Sequence, residues 1–204
     1  MILSNIFGAL AGVTALITYG FYLKQAVKGQ STPNPSTWLI WFIAGVINTF
    51  TYFAVVNGNI WQSLFVIAVT FSVLVILVYA LLKGKFTKIR PLDFFIFLMA
   101  LAVGIFWQIS SNDRISNLLL QSIYIISYLP TIMGLLNKTG KEHYASWLTA
   151  IISYSFATLA LVVNYPGDWI PFVSPVVNGI IGNGVIVILI MAQNKAKKGV
   201  GNIT

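Results

Sequence analysis

The side chains able to do chemistry in this chain are few. There is one histidine, His143, and no cysteine. The acidic residues are Asp93, Asp113, Glu142 and Asp168, and none lies deep in an apolar run. They form no nucleophile–base set and no metal-ligand cluster, and no glycine-rich phosphate loop is present. The sequence therefore implies no catalytic residue, no metal and no cofactor, and an enzyme is not expected. What remains is hydrogen bonding from isolated polar residues inside apolar stretches. Asn48, Thr70 and Asn178 are the main candidates for contacting a substrate, with Trp41 and Tyr52 as aromatic partners. Gln121, Tyr124 and Ser127 form a further group. A ring face with an amide beside it suits a sugar or a nucleoside, by stacking and edge hydrogen bonds. A polar group in hydrocarbon is costly without a partner, so such residues mark interior or pathway positions. The competing reading is that the amides are hydrogen-bond glue between helices.

The elements that must position these residues follow from hydropathy. Of the 204 residues, 58% are hydrophobic and only 8% charged, too few to cover a soluble surface, where about 25% is usual. A membrane-spanning helix needs about 20 mostly apolar residues. Seven stretches qualify: Leu3–Tyr22, Trp38–Val56, Ile60–Leu82, Asp93–Ile109, Ser116–Leu136, Tyr144–Val163 and Trp169–Gln193. No basic residue precedes the first, which reads as a retained helix and not a signal peptide. The polar turn Gln30–Thr37, with Pro33 and Pro35, separates the first two. The fold class expected is an all-α integral membrane protein of seven helices, with a polar tail over 194–204.

Charge placement orients these helices. Lys24, Lys28, Lys83, Lys85, Lys88, Arg90, Lys138, Lys141, Lys195, Lys197 and Lys198 fall on one side of a seven-helix arrangement, and only Arg114 on the other. The positive-inside rule puts the eleven in the cytoplasm, with the N-terminus outside and the C-terminus cytoplasmic, in a plasma or inner membrane. The net charge of +8 is then a topology signal, and no nucleic-acid partner is implied. At 1.5 Å per residue, Thr70 lies about 13–14 Å along its helix from Trp61, Asn178 as far from Trp169, and Asn48 roughly 15 Å from Trp38. All three reach the middle of a core about 30 Å thick. Trp38, Trp61, Trp147 and Trp169 read as interface anchors. Trp41, Ala44, Gly45, Asn48 and Tyr52 share one helix face, and Pro171, Pro175, Asn178 and Gly182 another.

The layout repeats. Tyr22 aligns with Tyr128, Trp38 with Trp147, Asn57 with Asn164, Trp61 with Trp169 and Thr70 with Asn178. The expected organisation is a three-helix repeat over 1–82, a basic loop and linker helix over 83–115, a second repeat over 116–193 and a tail over 194–204. Two parallel three-helix repeats need one extra helix between them, hence 3+1+3. The chain resembles the SWEET and PQ-loop (MtN3-like) superfamily. Lys24-Gln25 and Pro130-Thr131 each keep half of its Pro-Gln pair, and Ser174-Pro175-Val176-Val177-Asn178-Gly179 is similar to its last helix. Here the Asn comes three residues after the Pro, where the family usually has it directly after. Trp38-Leu39-Ile40-Trp41 is also similar to bacterial nicotinamide riboside transporters of like fold. Gln25, Pro130 and Pro175 are the gating or hinge candidates, and Pro130, Pro171 and Pro175 read equally as tolerated kinks. The function expected is a facilitative transporter, a uniporter for a small neutral polar solute such as a sugar, nucleoside or vitamin. The alternative is a receptor on the same fold that binds without translocating. Partners are a small molecule and the lipid bilayer; the sequence leaves the oligomeric state open, a monomer included.

Overall fold

Apolar segments of this length satisfy their backbone only as helices once water is excluded. The computed structural model describes residues 1–33, 35–83, 91–137, 139 and 142–201. Among them every regular element is helical. These are α1 (Ile2–Val27), α2 (Pro35–Val55), α3 (Ile60–Lys83), α4 (Pro91–Ser110), α5 (Asp113–Ser127), α6 (Leu129–Leu136) and α7 (Tyr144–Val163). The last span is composite: α8 (Ile170–Phe172), a π-helical stretch (Val173–Gly182) and α9 (Asn183–Gly201). Taking α5 with α6, and the composite stretch as one, six helices are long and apolar enough to cross a bilayer, and Phe94–Ser110 is a shorter seventh. The molecule is a multi-pass membrane protein. Its exposed large apolar residues, such as Phe50, Phe71 and Ile109, suit contact with lipid tails.

Several boundaries differ from the sequence reading. The first helix runs on to Val27, so Lys24 and Gln25 are inside it. Pro35 opens α2, where its missing N–H removes nothing, since first-turn donors have no helical partner anyway. Residues expected in a polar tail continue α9 as far as Gly201. Of the basic residues that orient the chain, Lys85, Lys88, Arg90, Lys138 and Lys141, with the side chains of Lys195, Lys197 and Lys198, lie outside the described residues. Helix ends are capped by side chains: Asn112 Oδ1 accepts from Ile115 N at 3.1 Å, and His143 Nδ1 from Ala145 N at 3.3 Å.

Packing is set by which helices meet. α1 lies against α3 and α7, and α2 against α3, α4 and α5. The π stretch and α9 lie against α7, and α4 touches only α2 and α5 among the described residues. At Gly8 the backbones of α1 and α3 nearly touch: a Cβ there would lie 2.2 Å from the Trp61 carbonyl oxygen. At the end of the bundle away from Lys24 and Lys28, Ala11, Tyr52, Val55, Phe65, Val66, Ala157 and Leu161 form a closed apolar core. That end is also clasped. Gln62 Nε2 lies within donor reach of Asn164 O (2.9 Å), Ala160 O (3.2 Å) and Ser4 Oγ (3.3 Å), tying α3 to α1 and α7.

Candidate functional site

A cavity of about 150 Å³ opens where the helices converge. An engineered apolar cavity of this size in another protein takes up benzene, so there is room for about one ring. α1, α2, α3, α5, α6, α7, the π stretch and the start of α9 all contribute lining residues, and α4 contributes none among the described residues. The lining runs from Ala15, Phe65 and Ser174, beside the closed core, to Thr32, Thr37 and Glu142 at the basic end. The cavity therefore lies in the half of the bundle towards the basic face, and the opposite half is packed shut.

Its floor is a network of buried amides. Asn48 Oδ1 accepts from Asn117 Nδ2 at 3.0 Å and from Gln121 Nε2 at 2.9 Å. Gln121 Oε1 in turn accepts from Asn178 Nδ2 at 2.6 Å. The chain Asn117–Asn48–Gln121–Asn178 thus links α5, α2 and the π stretch. One end of it is unused. Asn178 Oδ1 is buried with no hydrogen-bond partner, on a residue that lines the cavity. A buried polar atom without a partner costs about 1–3 kcal/mol, so its persistence calls for a reason.

The π stretch that carries Asn178 has an identifiable cause. Pro175 has no N–H for the helical ladder, and the wider turn leaves carbonyls without their usual donors. Side chains take over: Tyr128 O–H donates to Asn178 O at 2.8 Å, and Asn183 Nδ2 to Gly179 O at 2.5 Å. Gly179 also lets Tyr154 close in, since a Cβ there would lie 2.1 Å from Tyr154 Cγ.

Aromatic rings wall the basic half. Tyr22 and Trp38 are 5.0 Å apart between ring centroids, Trp38 and Trp41 5.1 Å, Trp41 and Tyr128 6.4 Å, and Tyr128 and Trp147 6.3 Å. Trp147 Nε1–H donates to Glu142 Oε2 at 3.2 Å, and Ser31 Oγ–H reaches the same oxygen at 3.4 Å. Burial pushes the Glu142 carboxyl up to about 7, against the opposing pull of its Trp147, Ser31 and Tyr22 donors.

Four of the expected substrate residues, Asn48, Thr70, Asn178 and Trp41, line this one cavity. Thr70 Oγ1 is 3.1 Å from Gly45 O and 3.0 Å from Thr49 Oγ1, so it also ties α3 to α2. Trp41 is held by donating to Ser127 Oγ at 2.7 Å. Tyr52 is not at the cavity: it is buried in the closed apolar core, one turn beyond Asn48. Gln25 lies behind the wall, where Ser146 Oγ–H donates to its Oε1 at 2.9 Å and its Nε2 is 3.3 Å from His143 Nδ1, fastening α1 to α7. The Pro130 side chain lies outside the described residues. The helix is interrupted at Tyr128, where Pro130 has no N–H for the Ile126 carbonyl. Pro175 is buried in the π stretch.

Two expectations are corrected. Trp38 and Trp147 are not interface anchors: they are 4% and 8% exposed and line the cavity, whereas Trp61 and Trp169 are exposed. Glu142, which sequence spacing put in a connecting turn, folds back into the cavity wall. Sequence reading also missed Asn117, whose signal was an amide one helical turn before Gln121.

Fold and site together define a helical, multi-pass membrane protein with a largely aromatic cavity, bordered by buried amides, inside the bundle. Comparison with family models, with curated proteins and with solved structures finds no match.

Proposed function

We propose that the chain is a facilitative transporter of a small polar solute of about one ring, working by alternating access around this cavity, with the basic face cytoplasmic. The observation that carries the reading is the buried, unpartnered Asn178 Oδ1 at a cavity where every long span except α4 meets. The packing order supports two parallel three-helix units with α4 as linker. In the first unit α1 packs on α3 and α3 on α2, while the α1 and α2 backbones stay apart among the described residues. In the second, α5 and α6 pack on the last span, which packs on α7, while the backbones of α5 and α6 stay apart from that of α7 among the described residues. Between units α1 meets α7 and α2 meets α5, and exchanging the units turns one contact into the other. The aligned pairs Tyr22 and Tyr128, and Trp38 and Trp147, all belong to the cavity wall. Closure at one end and a cavity towards the other is what one end state of alternating access requires.

The test is uptake by proteoliposomes, screened over sugars, nucleosides and ring vitamins, with Asn178→Ala beside wild type. Losing one buried hydrogen bond of about 1–3 kcal/mol weakens binding roughly 5- to 150-fold. Saturable uptake that Asn178→Ala weakens by this factor supports the reading. Solute binding without uptake favours a receptor, and uptake that Asn178→Ala leaves unchanged removes Asn178 from the site.

A further inference from the structure

The aromatic wall is closed by a carboxylate. Going round it, Tyr22 leads to Trp38, Trp41, Tyr128 and Trp147, and Trp147 donates to Glu142. Among the described residues, Glu142 is the one charged residue lining the cavity, and no described lysine or arginine lines it. The recorded bonds to Glu142 come from neutral donors, a hydroxyl and an indole, and fall on Oε2. Among the described residues Arg114–Asp168 is the ion pair, and no cation pairs with Glu142. A negative charge held by neutral donors beside a run of indole and phenol rings is poorly suited to anions. It is well suited to a cation, because ring faces attract positive charge and the carboxylate supplies the counter-charge. A desolvated ammonium gains most from such an enclosure, and a quaternary one needs no hydrogen-bond acceptor.

From this we infer that the basic half of the cavity is a subsite for an organic cation, a compact ammonium held between the rings of Trp38, Trp41, Tyr128 and Trp147 with Glu142 as counter-ion. The amide end then serves the polar remainder of the same solute. The inference rests on the solute pocket proposed above and names the charge class of what that pocket takes.

The test uses choline and its uncharged isostere 3,3-dimethylbutan-1-ol as probes, titrated calorimetrically into the full-length protein in detergent. Choline should bind at least tenfold more tightly than the isostere. Glu142→Gln, which keeps size and hydrogen-bonding capacity, should remove most of that difference. Trp41→Leu should weaken choline several-fold while leaving the carboxylate in place, which covers the case in which Glu142→Gln fails to fold. Equal affinity for the two probes, or full choline preference in Glu142→Gln, overturns the inference. Uptake of a neutral ring solute without choline binding removes the cation subsite and leaves the transport reading intact. Choline binding without uptake of any solute does the reverse.

Discussion

Truncating Asn48 and truncating Asn178 should have opposite balances between stability and binding, and the difference can be worked from their hydrogen bonds. Asn48 Oδ1 accepts two bonds, from Asn117 at 3.0 Å and Gln121 at 2.9 Å, both from buried amides. Asn48→Ala removes both and leaves those donors only their weaker partners, Thr51 Oγ1 at 3.1 Å and Asn117 Oδ1 at 3.4 Å. Two lost bonds plus partly unpaired buried donors come to roughly 2–4 kcal/mol. Asn178→Ala breaks the bonds to Gln121 Oε1 at 2.6 Å and Gln121 O at 3.3 Å and strands Gln121 Oε1, but it also deletes an acceptor that is already buried without a partner. The last effect offsets part of the loss and leaves a net change of about 1–2 kcal/mol, smaller than for Asn48→Ala. Thermal unfolding of the purified variants in one detergent should therefore show Asn48→Ala lowered by roughly 5–15 °C, at about 2–4 °C per kcal/mol for a chain of this size, and Asn178→Ala lowered by less. If Asn178→Ala falls as far as Asn48→Ala, Asn178 is structural glue and the argument from its unpartnered oxygen is wrong.

Gly179→Ala should destabilise by about 1–3 kcal/mol or more, because the new Cβ would fall 2.1 Å from Tyr154 Cγ; restored stability in Gly179→Ala/Tyr154→Ala would trace the loss to that contact. Glu142, raised in the folded protein to about 7 from an ordinary 4.5, contributes stability that is fully present below about 4.5 and is lost as pH rises through about 7. Its titratable neighbours among the described residues are Tyr22 on α1 and the adjacent His143. Melting curves should show Glu142→Gln gaining on wild type at pH 8, by on the order of 2 kcal/mol after allowance for residual solvent, and matching it near pH 4; a gap that does not change with pH refutes the assignment. Cysteines placed at Lys28 and at Tyr165, both exposed and at opposite ends of the bundle, should label from opposite sides of intact cells, Lys28→Cys from the cytoplasm. Labelling from one side would reject the orientation.

Hydropathy determined the helices because an apolar run of about 20 residues has one good way to satisfy its backbone in a bilayer, and that demand is local. Asn48, Thr70 and Asn178 were likewise legible as a common layer, since residue number converts directly into depth along a helix. Depth does not give azimuth, however. Tyr52 shares the helix face of Asn48, yet one further turn carries it into the packed core. Trp38 and Trp147 have the positions of interface anchors, yet the angles of α2 and α7 turn them inward. The amide chain through Asn117 and Gln121 depended on α5 lying between α2 and the last span, a contact between residues roughly 60 to 70 positions apart. Glu142 was hidden for the same reason: a turn residue is read as solvated, and only the approach of α1 and α2 to the start of α7 buries its carboxylate among rings. The sequence by itself determined what each helix is made of and how deep each polar group lies. Only the tertiary structure decided which groups face one another, because that depends on helix rotation and neighbour choice, which are set by packing between segments far apart in the chain.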